Sequence, residues 1–195
     1  MSPPFTAVLL AGGKSRRMGQ DKAYLPSEWK GASMPLWERQ LAVLRSVSPE
    51  KLVISGPQKQ GYPGSIVVFA DEWTGVGPLG GIATCLRRTR NALLLVLAID
   101  LPKIQSGFLK KLLSRCEAGC GVVPVHQTCF EPLAAIYPKA ALGVALEQLK
   151  DRDYALQHFI DKLLKNRLMI GCEVDSSELP QLTNWNTPED AGLAP

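Results

Sequence analysis

The chain has 195 residues, of which 46% are hydrophobic and 21% are charged, the composition of a folded globular protein rather than of a disordered chain. The net charge is only +4, and its basic clusters are scattered without interleaved aromatic residues, so nucleic acid is not expected as the main ligand. No apolar run reaches the roughly 20 residues of a membrane-spanning helix and the N-terminus lacks the basic region of a signal peptide, which predicts a cytoplasmic protein without a membrane partner.

Short apolar runs alternate with amphipathic segments along the chain, a pattern typical of strands joined by helical crossovers. In chain order, the predicted strands are residues 6–10, 51–54, 65–69, 93–99 and 121–125, and the predicted helices are residues 36–46, 80–88, 107–117, 140–149 and 155–165. We therefore predict an α/β fold: one domain over residues 1–195, with a mostly parallel twisted sheet and helices on both faces. Ligands of such sheets bind at the carboxyl ends of the strands.

Residues 25–35, LPSEWKGASMP, contain two prolines, a glycine and two serines. This composition favours a mobile surface loop that could act as a lid.

The five cysteines are odd in number and form no CxxC pair, which predicts small buried side chains rather than disulfides or a zinc site. Neither a Ser-His-Asp nor a Cys-His arrangement is evident, so covalent catalysis is not indicated.

The first loop whose residues suggest ligand binding lies in residues 7–26, AVLLAGGKSRRMGQDKAYLP. An apolar strand stops at Gly12 and Gly13, and the cations Lys14, Arg16, Arg17 and Lys22 follow. Glycine lets backbone N–H groups approach a ligand closely, and the cations would neutralise its charge, so the stretch predicts phosphate binding. It is not a P-loop, since that motif requires glycine where Val8 stands. The alternative is a glycine turn followed by a solvated basic helix.

The second loop, ADEWTGVGPLGGI (residues 70–82), contains the spacing G-x-G-x-x-G at Gly75, Gly77 and Gly80. This spacing is the dinucleotide-binding fingerprint, and an NAD-dependent oxidoreductase is one alternative function. Residues 71–74 separate the preceding strand from the first glycine, however, and Pro78 removes an N–H group from the cradle. Both features argue against a pyrophosphate site here.

The third loop is AIDLP, residues 98–102, in which Asp100 ends the most apolar predicted strand. A carboxylate at this position is suited to holding Mg²⁺ against phosphate oxygens. The alternative is an ordinary Asp-x-Pro turn. Because the glycine loop, Asp71 and Asp100 should meet at one edge of the sheet, a nucleotide with Mg²⁺ explains all three.

Five stretches together carry a resemblance to a known family: LAGGKSRRMGQDKA (10–23), GPLGGI (77–82), AIDLP (98–102), FEPLAAIYP (130–138) and NWNTPED (184–190). In these stretches the chain resembles the molybdenum cofactor guanylyltransferases, the MobA-like branch of the nucleotidyltransferase superfamily. The resemblance covers almost the whole length of the chain.

The resemblance implies a GTP site and a magnesium ligand. The residues implied to line or contact the nucleotide are Leu10, Ala11, Gly12, Gly13, Lys22 and Asp71, with Ser55 where some relatives have Asn. Asp100 would be the Mg²⁺ ligand, and Arg16 and Lys22 would stabilise charge on the reacting phosphates.

The implied reaction is transfer of GMP from GTP to molybdopterin or the molybdenum cofactor, with release of pyrophosphate. The N-terminal half would bind the nucleotide and the C-terminal half the acceptor, and other cofactor-biosynthesis proteins are expected as partners. Glu131 is interpreted either as facing the acceptor phosphate or as a solvent-facing strand residue. A transferase that uses CTP or a sugar-phosphate acceptor, and a non-catalytic nucleotide sensor, remain alternative functions.

Overall fold

The computed structural model describes residues 3–13, 20–117, 119–187 and 189–191. Its strands are β1 (Phe5–Leu10), β2 (Pro26–Trp29), β3 (Ala32–Pro35), β4 (Lys51–Ser55), β5 (Val67–Phe69), β6 (Leu93–Ala98), β7 (Gly121–His126), β8 (Cys129–Phe130), β9 (Ile136–Pro138) and β10 (Met169–Glu173). Its α-helices are α1 (Leu36–Arg45), α2 (Pro78–Arg88), α3 (Ser106–Ser114), α4 (Ala141–Lys150) and α5 (Leu156–Lys165). None of the helices in these described ranges is long and apolar enough to cross a bilayer.

The main sheet has the strand order β10-β7-β9-β6-β1-β4-β5, with β8 paired to β7. The pairs β1/β4, β1/β6, β4/β5 and β7/β10 are parallel, which confirms the predicted mostly parallel sheet. Strand β9 runs antiparallel between β6 and β7. It was not predicted because a run of three residues is too short to show a strand period.

Helices cover both faces of the sheet, as predicted. Alternate residues of β6 point to opposite faces, so Leu95 and Leu97 pack with α1 and α3, while Leu94 and Val96 pack with α2, α4 and α5. Every residue of β6 is buried. This two-sided burial explains why its sequence is apolar without alternation.

Residues 25–35 form a hairpin of β2 and β3 rather than the predicted loop. Lys30 and Gly31 connect the strands with φ values of 51° and 81°, the positive values that a tight two-residue hairpin turn requires. The two flanking prolines masked this signal in the sequence. Trp29, at the end of β2, packs against the core.

Lys139 ties β9 to the C-terminal end of α2. Its Nζ donates hydrogen bonds to the carbonyl oxygens of Leu86, Arg87 at 3.2 Å and Thr89 at 2.7 Å. A cation at this end of a helix also interacts favourably with the helix dipole. The side chain therefore satisfies carbonyl groups that the helix itself leaves unbonded.

We expect Lys139→Met to lower the free energy of unfolding by about 1–3 kcal/mol, because it removes charge-assisted hydrogen bonds but keeps an apolar stem. Urea denaturation measures the change. Lys110→Met, on the exposed surface of α3, is the matched control and should differ little from the wild type. Equal unfolding midpoints for the two variants would contradict a capping role of Lys139.

Candidate active site

The register of the parallel strands gathers three loops at one edge of the sheet. Leu10, the last residue of β1, lies opposite Ser55 of β4 and Ala98 of β6. The backbone continues this pairing beyond the strands, since Ala11 N donates to Ser55 O at 2.9 Å and Ile99 N donates to Leu10 O at 3.0 Å. The glycine loop and Asp100 therefore emerge side by side.

A cavity of about 380 Å³ lies at this edge. Six residues predicted as site residues line it: Leu10, Gly12, Gly13, Ser55, Asp71 and Asp100. Ala11 is buried behind the loop, and Lys22 lies beside Asp100 rather than on the cavity wall. Arg16, also predicted for the site, lies outside the described residues.

Ser55 and Asp71 form one unit at the end of β4. The hydroxyl of Ser55 donates to Asp71 Oδ1 at 2.6 Å, and Ser55 is only 2% exposed. The sequence suggested a direct contact of Ser55 with nucleotide. Ser55 lines the cavity and also holds the carboxylate of Asp71 at its wall, and its contact with nucleotide stays a prediction.

Two glycines allow this packing. A Cβ at Gly56, whose φ is +133°, would lie 2.7 Å from Gly12 N, so the end of β4 rests directly on the glycine loop. A Cβ at Gly81 would lie 2.9 Å from Ser55 Oγ and 3.3 Å from Leu10 Cδ2. Helix α2 can approach the Ser55–Asp71 pair only because position 81 has no side chain.

The glycine-rich second loop forms another wall of the same cavity. Residues 70–77 separate β5 from α2, so the tight strand-to-helix turn of a dinucleotide site is not formed. Gly77 precedes α2 and Pro78 is its first residue, a position that suits proline because its missing N–H group would have no partner within the helix. The G-x-G-x-x-G spacing is thus explained by loop shape and a helix start.

Asp100 and Lys22 meet at the rim of the cavity. Lys22 Nζ lies 4.0 Å from Asp100 Oδ2 and donates to Asn186 Oδ1 at 3.1 Å. The side chains of Lys22 and Asp100 are 13% and 23% exposed. A cation, a carboxylate and an amide from three distant parts of the chain are thus brought together.

Asp100 is partly desolvated. Burial raises the pKa of its carboxyl, and the nearby Lys22 ammonium opposes that rise. Its Oδ1 atom is buried and accepts no hydrogen bond from the part of the chain that the structure describes. An orphaned carboxylate oxygen of this kind fits a cation ligand better than a turn-forming residue.

A magnesium ion would find only part of its coordination shell here. The described residues contain no group of three or more His, Cys, Asp or Glu side chains that could hold a metal. Mg²⁺ commonly binds proteins through one or two carboxylates and takes its other ligands from phosphates and water. Asp100 therefore fits such a site once a nucleotide is bound.

Asn186 is a further residue of the site that the sequence does not predict, although it lies in the NWNTPED motif. It lies on the C-terminal strap, which we define as residues 174–187. The strap leads from β10 back to the site. Three hydrogen bonds hold it in place: Lys111 Nζ to Glu178 Oε2 at 2.6 Å, Gln105 N to Gln181 Oε1 at 3.0 Å, and Trp185 N to Asp100 O at 2.9 Å. The strap thus holds Asn186 against Lys22.

Glu131 is half-buried beside a short 3₁₀ turn, Pro132–Ala134, so its interpretation as a solvent-facing strand residue is wrong. Its Oε1 accepts a hydrogen bond from Leu133 N at 3.1 Å. Burial raises the pKa of Glu131 to about 7; the hydrogen bond opposes this rise and the charge of Asp100 adds to it. Since Leu133 lines the cavity, Glu131 lies near the edge that carries Asp100.

The parallel sheet, the glycine loop and the Lys22–Asp100 pair are together the features of a nucleotidyltransferase. A family model described as the MobA-like NTP transferase domain matches residues 7–167, and the chain belongs to this family.

Relatives match over nearly their whole length. A protein of Opitutus terrae named "Probable molybdenum cofactor guanylyltransferase" is 37% identical, over 94% of this chain and 91% of the relative. A molybdenum cofactor guanylyltransferase of Xanthomonas euvesicatoria is 35% identical, over 95% and 92%. Among solved structures, the molybdopterin-guanine dinucleotide biosynthesis protein A of Archaeoglobus fulgidus has a TM-score of 0.73 at 24% identity, over 96% and 95% of the two chains. This last likeness shows the fold.

We expect Gly81→Ala to weaken nucleotide binding at least about tenfold, because the new Cβ displaces the Ser55 hydroxyl and releases the carboxylate of Asp71. Gly143→Ala is the control: position 143 lies on α4 with open space around it, so alanine there should leave binding unchanged and stabilise the helix by about 0.5–1 kcal/mol. Calorimetric titration with GTP measures the binding. Unchanged affinity in Gly81→Ala would show that the Ser55–Asp71 pair does not shape the site.

The raised pKa of Glu131 predicts a pH-dependent stability. Between the ordinary carboxyl pKa of 4.5 and about 7, the folded protein keeps a proton that the unfolded chain has lost, so stability falls as the pH rises through this range. Glutamine at position 131 does not titrate, so Glu131→Gln should not lose this stability. The free energy of unfolding of the variant relative to that of the wild type should therefore rise by about 1–3 kcal/mol between pH 4.5 and 8. Urea denaturation across pH tests this, with exposed Glu147→Gln as the control. A constant difference across pH would refute the prediction.

Proposed function

We propose that this protein transfers GMP from GTP to molybdopterin or the molybdenum cofactor and releases pyrophosphate. The observation that carries the proposal is the Lys22–Asp100 pair at the rim of a cavity lined by the glycine loop. Support also comes from the names of the relatives that match over more than nine tenths of both chains.

The cavity suits the nucleoside end of the substrate. Its volume of about 380 Å³ lies within the range of small-molecule sites. Gly12 and Gly13 would place backbone N–H groups toward the phosphates, with Lys22 beside them. Asp71, held by Ser55, would accept hydrogen bonds from the nucleoside.

Asp100 would hold Mg²⁺ through its buried carboxylate. The bound ion would supply positive charge to the phosphate oxygens during transfer. Lys22, 4.0 Å from Asp100 Oδ2, would then be available to the substrate phosphates while Asn186 keeps its ammonium in place. Arg16, assigned from the sequence, would add charge from the same loop.

The chemistry needs positioning more than acid–base catalysis. An ionised phosphate oxygen of the acceptor attacks the α-phosphorus of GTP, the bond to the β-phosphate oxygen breaks, and pyrophosphate leaves. Since the nucleophile is already ionised at neutral pH, a strong general base is not required. Lys22 and the glycine-loop amides would stabilise the charge that develops on the transferring and leaving groups.

The two halves of the domain over residues 1–195 would divide the substrates. The nucleotide cavity is built mainly from residues 10–100. Asn186, which accepts a hydrogen bond from Lys22, and Glu131, which lies near enough to feel the charge of Asp100, come from the C-terminal half and would face the acceptor. The proteins that supply molybdopterin and receive the dinucleotide product would be transient partners at this side.

We expect Asp100→Asn to reduce pyrophosphate release from GTP and molybdopterin at least about 100-fold, because the neutral amide cannot hold Mg²⁺ near the phosphates. Thermal stability should be equal or higher, since the substitution removes a partly desolvated charge. Exposed Asp161→Asn on α5 is the matched control. Near-normal turnover in folded Asp100→Asn protein would contradict the metal role. If the wild-type protein preferred CTP to GTP in the same assay, the nucleotide substrate would be CTP.

A further inference from the structure

A second cavity, of about 580 Å³ and wide open to solvent, is lined in part by the C-terminal strap. Its walls come from the β2–β3 hairpin, α1, the residues that follow Asp100, and the strap. It shares no lining residue with the nucleotide cavity. The proposed transfer reaction does not use it.

A buried cation that forms no ion pair with the described residues lines this cavity. Arg39 of α1 is 4% exposed, and its guanidinium donates to two neutral acceptors, Gln40 Oε1 and Ile104 O, each at 2.9 Å. Its Cζ lies 5.7 Å from the ring of Trp29. None of the ion pairs formed within the described residues includes Arg39.

A guanidinium has more N–H donors than these two acceptors use. A buried charge is costly unless it is paired, because burial removes it from water. Burial accordingly lowers the pKa of Arg39. The guanidinium of Arg39 would therefore be stabilised by a negatively charged group that binds in the cavity.

A second hydrogen-bond donor lies in the same wall. Trp185 lines the cavity, and its Nε1–H is buried without a hydrogen-bond acceptor among the residues the structure describes. Lys103 and Glu28 lie exposed at the rim and carry opposite charges, so they add no net charge. The positive charge of Arg39 is therefore the one that can attract a ligand, and the indole N–H of Trp185 is a neutral donor in the same wall.

We propose that this cavity binds an oxyanion, a phosphate or carboxylate group carried by a small organic ligand. The planar guanidinium fork of Arg39 suits such a group, and the indole N–H of Trp185 would donate a further hydrogen bond. Proline and tryptophan side chains would contact the organic part of the ligand. Trp185 N donates a hydrogen bond to Asp100 O. This backbone hydrogen bond connects the proposed site to Asp100 at the nucleotide cavity.

Indole resonances in ¹H–¹⁵N NMR spectra give a direct test, since the chain has four tryptophans. Sodium phosphate and sodium malonate are titrated at constant ionic strength. The Trp185 resonance, assigned by its loss in Trp185→Phe, should shift and saturate. Trp73 lines the nucleotide cavity, so its resonance, assigned with Trp73→Phe, reports anions that bind there instead.

Arg39→Gln should weaken this saturable shift at least about tenfold, because a charge-assisted hydrogen bond is lost. Arg45→Gln, which removes the same charge from the exposed end of α1, should keep the wild-type affinity. Should Arg39→Gln fail to fold, Arg39→Lys keeps the charge without the planar fork and should bind several-fold more weakly than the wild type.

A Trp185 resonance that neither anion moves would overturn the proposal. So would a shift of equal affinity in wild-type protein and folded Arg39→Gln, or a shift of Trp73 alone. Saturation by phosphate only or by malonate only supports the proposal and identifies which oxyanion the site takes.

Discussion

The parallel pairing of β1 with β4 on one side and β6 on the other is the constraint on which the site depends. Its register places Leu10 level with Ser55 and Ala98, so the loops that follow these strands must share one edge. The apolar strand sequences set this arrangement through burial on both faces of the sheet. Close backbone contact at Gly56 then brings the end of β4 against the glycine loop.

The polar groups at this edge are held in ways that cost stability. Asp100 is partly desolvated, and its buried Oδ1 accepts no hydrogen bond from the described residues; burial also raises the pKa of Glu131 nearby. Active sites commonly retain such groups because a bound ligand, rather than the protein alone, completes their interactions. The hydrophobic clusters on both faces of the sheet supply the stability that offsets this cost.

Much of the fold and part of the site could be predicted from the sequence. Strands with long apolar runs, such as β6, and amphipathic helices give local signals that survive without tertiary information. The gathering of Gly12, Asp71 and Asp100 followed from the rule that ligands bind at the carboxyl ends of parallel strands. The hydrogen bond from Ser55 to Asp71 could not be predicted, because it depends on packing between distant residues.

Some of the features that escaped prediction depend on contacts between distant parts of the chain, and others gave too weak a local signal. Asn186 meets Lys22 across 164 residues, and no local pattern marks that pairing. The β2–β3 hairpin was hidden by its prolines, and β9 by its length. The proposed roles of Arg39 and Trp185 follow from a buried guanidinium that forms no ion pair with the described residues and a buried indole N–H that finds no acceptor among them, which are properties of the folded molecule.

The nucleotide site itself is tested most directly by calorimetric titration of the wild-type protein with GTP, CTP, ATP and NAD, each with and without Mg²⁺. Binding that is selective for GTP and strengthened by Mg²⁺ is the predicted result, because Asp100 and the substrate phosphates would share the ion. NAD binding that is independent of metal, with no GTP binding, would contradict the assignment and make residues 70–82 the dinucleotide cradle.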